Sequence, residues 1–147
     1  YLIISCDMPF MDGKIVTFLK KKAKKFKNFD GLTVHAKIIK KDIINNRSVA
    51  KLILNKDQSI RVISRKEIIY KKLENFSHHG FVLLKKKVLE NYKTLKNTKL
   101  QIREDNEWLK LIENKYKIYS FLVKSIKPEI NTKKDLKKYF PIKFKNI

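Results

Sequence analysis

The sequence predicts an α/β layered domain built on a mixed sheet. Short apolar or alternating runs, read as strands, interleave with stretches of helical periodicity. Two β-rich runs at 49–54 and 60–63, joined by Asn55-Lys56-Asp57-Gln58-Ser59, read as a hairpin, so part of the sheet is antiparallel. A hydrophobic share of 43% over 147 residues fits one domain with a core and is too high for a disordered chain.

Taken in order, residues 1–5 (YLIIS) form an apolar run that predicts a central strand, which Pro9 closes. Residues 11–27 predict an amphipathic helix. Ile15, Phe18, Leu19, Ala23 and Phe26 recur three, four or seven apart, leaving the lysines on the wet face. Residues 28–31 (NFDG) read as a turn, with Gly31 supplying left-handed geometry. Leu32, Val34, Ala36 and Ile38 alternate with Thr33, His35 and Lys37, the period of a half-buried strand. After the turn at 45–47 and the hairpin, a short loop follows Arg65. Residues 80–84 predict a strand, 85–95 and 104–114 helices, and 116–123 a strand. Thr132 predicts the cap of a last helix through Phe140, with Asp135 in its first turn and Pro141 at its end.

The chain opens on Tyr1 inside an apolar run, so it is expected to be the C-terminal piece of a longer protein. A single Cys excludes a disulfide framework and a multi-cysteine zinc site, and it suits a reducing, cytoplasmic setting. No apolar run approaches the roughly 18 residues of a membrane span. The net charge of +22 invites a nucleic-acid reading, but the positives are 32 Lys and only 4 Arg. Readers of phosphates and base edges favour the Arg fork. A solvated lysine surface is therefore the preferred reading, with no specific nucleic acid expected, and a basic binding module is the alternative.

Asp7 sits where an apolar strand runs into a loop, the place where open α/β sheets bind ligands. It either caps the next turn or holds Mg²⁺ on a nucleotide phosphate. Cys6 is expected to be buried and inert. His78 and His79 read as a loop pair with one ring exposed, or with one ring donating to an acidic ligand group. Arg65 stands out in a chain that otherwise uses Lys. The phosphate-binding, zinc-protease and nucleophile-elbow motifs are absent from the sequence.

Five segments, in order, resemble the cytidylyltransferases that activate acidic sugars, above all the 3-deoxy-manno-octulosonate (KDO) cytidylyltransferases. ISCDMPF (4–10) resembles their strand-loop ending in Gly-Asp-Glu-Pro. NRSVAKLILNKDQSIRVISRKEIIY (46–70) resembles their hairpin and Ser-Arg pair. SHHGFVLL (77–84), NEWLKLIENKYKI (106–118) and EINTKKDL (129–136) resemble the three motifs that follow. The resemblance implies a Rossmann-like nucleotidyltransferase fold, here N-terminally truncated. It implies transfer of CMP from CTP to an acidic sugar, a Mg²⁺ cofactor and a role in cell-surface polysaccharide synthesis. By the same resemblance Asp7 and Asn131 are metal contacts, and Arg65, His78 and Glu107 bind the sugar. Asn131 stands where the pattern has Asp, Trp108 where it has Gln, and Ser5-Cys6 where it has Gln-Gly. The family's glycine-rich nucleotide loop lies N-terminal to all these segments, so this piece is expected to be inactive alone. The expected partners are CTP and an acidic sugar, with a homodimer as a candidate assembly. A sialic-acid-type activity and an inactive fragment are the alternatives.

Overall fold

The computed structural model describes residues 1–39, 44–66 and 76–141. Seven strands make one sheet: β1 (Leu2–Ile4), β2 (Gly31–Lys37), β3 (Ala50–Leu54), β4 (Ile60–Ser64), β5 (Phe76–His78), β6 (Phe81–Leu84) and β7 (Ile118–Leu122). Helices flanking them among the described residues are α1 (Gly13–Lys25), α2 (Lys86–Asn91), α3 (Lys99–Glu104), α4 (Glu107–Glu113) and α5 (Lys133–Tyr139). The strand order is β1-β6-β2-β5-β3-β4, with β7 on the other side of β2. Among the described residues only β2 and β7 pair in parallel, so the sheet is mixed as predicted.

The two faces bury separate cores. Leu32, Val34, Phe81 and Tyr119 meet Leu19 and the apolar stripe of α1 on one face. Leu52, Ile63, Val82, Leu84 and Ile118 meet Val88, Leu109 and Leu111, from α2 and α4, on the other. The lysines of α1 stay outside; Lys22 Nζ sits 4.7 Å from the Phe121 ring centre.

Several expectations are corrected. The strand at 1–5 forms, but within this chain it is an edge strand paired only with β6, and Ile4 is exposed. β2 is not half-buried: it is the central strand, with both faces covered, including Thr33 and His35. Gly31 has no positive φ. It is needed because a Cβ there would meet Leu84 Cδ2 at 2.8 Å. The helix expected at 104–114 forms as the shorter α4, and α3 before it was not expected; Asp105 between them takes a left-handed φ of 48°. α3 starts at a capping box, with Thr98 Oγ1 accepting from Gln101 N and Gln101 Oε1 from Thr98 N. The helix expected at 85–95 is shorter, spanning Lys86–Asn91. The last helix forms as predicted, with Thr132 and Asp135 in a second capping box. The loop expected after Arg65, from residue 67 onward, and the end of the hairpin motif at Tyr70 lie outside the described residues.

Two buried histidines come from this packing. His35 faces Ser120, Nδ1 to Oγ at 2.9 Å, and burial lowers its pKa to about 4. His78, in β5, is lowered to about 3 by burial and then by neighbouring His79. Both rings are neutral in the fold, while an unfolded chain protonates them near pH 6.5. Stability from them is therefore complete above about pH 6.5 and lost as pH falls towards 3–4. Each ring contributes a slope of up to about 1.4 kcal/mol per pH unit. Denaturation midpoints followed from pH 7 to 4 should fall, and His35→Gln should remove about half of the histidine slope. An unchanged slope would show that His35 does not stay neutral.

Candidate functional site

β5 and β6 are one strand against β2, interrupted at His79-Gly80. Between Leu32 and His35 β2 advances three residues, while its partner advances five between Leu83 and His78. The surplus forms a bulge. On the outer edge of this strand, β1 pairs β6 and β3 pairs β5, so the end of β1 and the start of β3 meet at the bulge. Ser5 N donates to Gly80 O at 2.7 Å. A Cβ on Gly80 would lie 2.8 Å from Ser5 Cβ, which explains the glycine.

Asp7 emerges at this junction, at the carboxyl end of β1. Its backbone oxygen accepts from Ile130 N at 2.9 Å, so the loop before α5 is fastened to it. Buried Met8 pins the turn into the α1-side core. Asp7 Oδ1 is buried and has no hydrogen-bond partner among the described residues. Its carboxyl pKa is raised, first by burial and then by the charge of Glu129, while its own backbone N–H and Arg65 oppose the shift. Cys6, expected to be buried, is exposed. It lies in the turn that follows β1, beyond the pairing with β6.

Arg65 follows β4. Its Nε donates to Glu104 O at 3.1 Å and its Nη2 to Asp105 O at 3.2 Å. The buried Glu104 carboxylate accepts from Arg65 N and Ser64 Oγ. Arg65 thus braces the α3–α4 corner, which presents Asn106, exposed Glu107 and Trp108. Asn106 caps α4 by accepting from Trp108 N at 3.1 Å. His78 is not the loop residue expected. It is a buried strand residue, held neutral, so it offers a hydrogen bond and not the cation expected from its type. Asn131 is exposed on the loop before α5, and its Nδ2 donates to Glu129 Oε2 at 3.4 Å.

Asp7, Arg65, His78, Glu107 and Asn131 all line one small cleft of about 80 Å³. Glu129, Asn106 and Trp108 line it too. Sequence reasoning assigned no role to Glu129. The available signal was its place two residues before Asn131, since residues i and i+2 of extended chain share a side. A larger cavity of about 850 Å³ shares Ser48, Glu129 and Asn131 with the cleft and is edged by Lys37, Lys124, Lys134 and Lys138.

Among the described residues, no group of three or more His, Cys, Asp or Glu is placed to hold a metal ion. A cage made of protein alone is not what Mg²⁺ requires, because it takes one or two carboxylates with waters and substrate phosphates. The unpartnered Asp7 Oδ1 beside a second carboxylate suits that mode. None of the described helices is long and apolar enough to cross a membrane.

No family model matches the chain. It is 30% identical over 138 residues to the curated 3-deoxy-manno-octulosonate cytidylyltransferase of Elusimicrobium minutum (strain Pei191), matching 88% of this chain and 56% of that protein. It is 29% identical over 143 residues to the enzyme of the same name from Rickettsia prowazekii (strain Madrid E), matching 94% of this chain and 56% of that one. A solved structure of CMP:2-keto-3-deoxy-manno-octonic acid synthetase complexed with CTP superposes with a TM-score of 0.86 at 24% identity, over 95% of this chain and 59% of that chain. The chain thus spans just over half the length of the curated relatives it matches. The resemblance drawn from the motifs is borne out along most of the chain, and the superposition bears out the fold class.

Proposed function

We propose that the protein to which this chain belongs is a cytidylyltransferase, joining CMP from CTP to an acidic sugar, KDO, with release of pyrophosphate. The observation that carries the reading is the convergence on one cleft of five residues scattered from position 7 to position 131. The CTP in the superposed synthetase supports a nucleotide substrate. We place the reaction in the cytoplasm, in the service of cell-surface polysaccharide synthesis.

In this reading the sugar's anomeric hydroxyl forms a bond to the α-phosphorus of CTP. The bond from that phosphorus to the bridging oxygen breaks, and pyrophosphate leaves. Mg²⁺, held by Asp7 with a weaker contact from Asn131, supplies neutralisation of the triphosphate charge when bound. Arg65 spends two donors on the α3–α4 corner and keeps the rest of its fork for the sugar's carboxylate. Neutral His78 hydrogen-bonds the sugar, and Glu107 accepts from its hydroxyls. Trp108 presents an indole where the resemblance expects Gln, and a sialic-acid-type substrate is the second reading.

The test is pyrophosphate release by the intact protein from CTP, Mg²⁺ and KDO, with a sialic acid in parallel. A folded protein that releases no pyrophosphate with either sugar would overturn the reading. A steep salt dependence of DNA binding would instead favour the basic binding module. Asn131→Asp should lower the Mg²⁺ concentration for half-maximal activity about tenfold, the scale of a contact that gains a charge. If Asn131 only leads into the helix capped by Thr132, that midpoint stays where it was.

A further inference from the structure

We infer that Glu129 supplies the second anionic contact for the cation held at Asp7, the charge that Asn131 lacks. The inference rests on the reading of Asp7 as a metal contact.

The Glu129 carboxylate is largely buried, its side chain 14% exposed. Oε1 accepts from His79 Nδ1 at 3.1 Å and Gly80 N at 3.2 Å. His79 is fixed in turn, with Nε2 3.2 Å from Ser77 Oγ. Among the described residues, Oε2 has only the long 3.4 Å contact from Asn131. One oxygen is therefore anchored on the bulge, and the other keeps acceptor capacity on the cleft that Asp7 shares. Two carboxylates in one small cleft repel unless a cation joins them. Arg65 directs its hydrogen bonds to the carbonyls of Glu104 and Asp105, and His79 engages only Oε1 of Glu129. Ile130 N, bonded to Asp7 O, holds the two carboxylates in fixed relation. Rigid anchoring of a ligand's other oxygen is what a metal contact requires.

The experiment titrates the intact protein with Mn²⁺ alone, without CTP or sugar, following free Mn²⁺ by electron paramagnetic resonance. Glu129→Gln and Asp7→Asn should each weaken binding tenfold or more. Glu129→Asp, which keeps the charge, should recover part of the loss. Glu90→Gln, removing an exposed carboxylate of α2, should change binding less than twofold. Melting temperatures of the four variants identify any that fail to fold, and Glu129→Ala, which also removes the charge, then stands in for Glu129→Gln. Mn²⁺ affinity unchanged in Glu129→Gln would overturn the inference, as would equal losses in Glu90→Gln or an unmodified protein that binds no Mn²⁺. If Mn²⁺ binding follows the expected pattern but no CMP-sugar forms, the functional reading falls and the inference stands. If CMP-sugar forms and Glu129→Gln binds Mn²⁺ normally, the reverse holds.

Discussion

Asp7→Asn in the intact protein is expected to lower pyrophosphate release by about 10³-fold at saturating Mg²⁺, the loss of several kcal/mol of charge stabilisation in the transition state. The substitution keeps the shape of the side chain and removes only its charge. Its effect on stability should run the other way. The Asp7 carboxyl has a raised pKa, so its ionised form is held against burial and against Glu129. A neutral amide relieves both, and the melting temperature of Asp7→Asn at pH 7 should equal or exceed that of the parent. A variant that is inactive because it is unfolded, or one that stays fully active, would each contradict this account.

Lys51→Met is expected to cost about 3 kcal/mol in urea denaturation, with little change in activity per folded molecule. Lys51 is fully buried in β3. Its Nζ donates to Asn46 O at 2.6 Å and Arg65 O at 3.0 Å, joining the chain just before β3 to the chain just after β4. Met fills the space of the stem but leaves both carbonyls without that donor, and hydrogen bonds from a charged group are worth about 1.5–3 kcal/mol each. A shift below 1 kcal/mol would mean that the two carbonyls find other donors at no cost.

The parts of the fold legible in the sequence were those that local apolar pattern determines. The runs at 32–36, 50–54, 60–63 and 118–122 have no other stable use than as strands. β5 was missed because Ser77 and His78 are polar and are buried only by tertiary contacts with β2 and β3. α3 was missed although Thr98 announces a helix start; its six residues carry too few apolar positions to show a period, unlike Trp108, Leu109, Leu111 and Ile112 of α4. The five site positions could be named because short motifs carry them. What motifs could not give was the environment: that His78 is held neutral, that Arg65 braces a corner, and that Glu129 lines the cleft with Asp7. The place of Glu129 follows from the bulge at His79-Gly80, which nothing in the local sequence announces except Gly80.

The bond from Ile130 N to Asp7 O has a consequence for the order of folding. It closes almost the whole chain into one loop, and Asp7 meets its cleft partners only after β1 has paired with β6 and the segment beyond β7 has returned across the sheet. Contacts of such sequence separation carry the largest loop-closure entropy and form late. The two hairpin strands and the helices near them can collapse locally while the cleft is still absent. Exposed Cys6, next to Asp7, is therefore a place for a fluorescent label that reports the final consolidation of the chain and stays silent through earlier compaction.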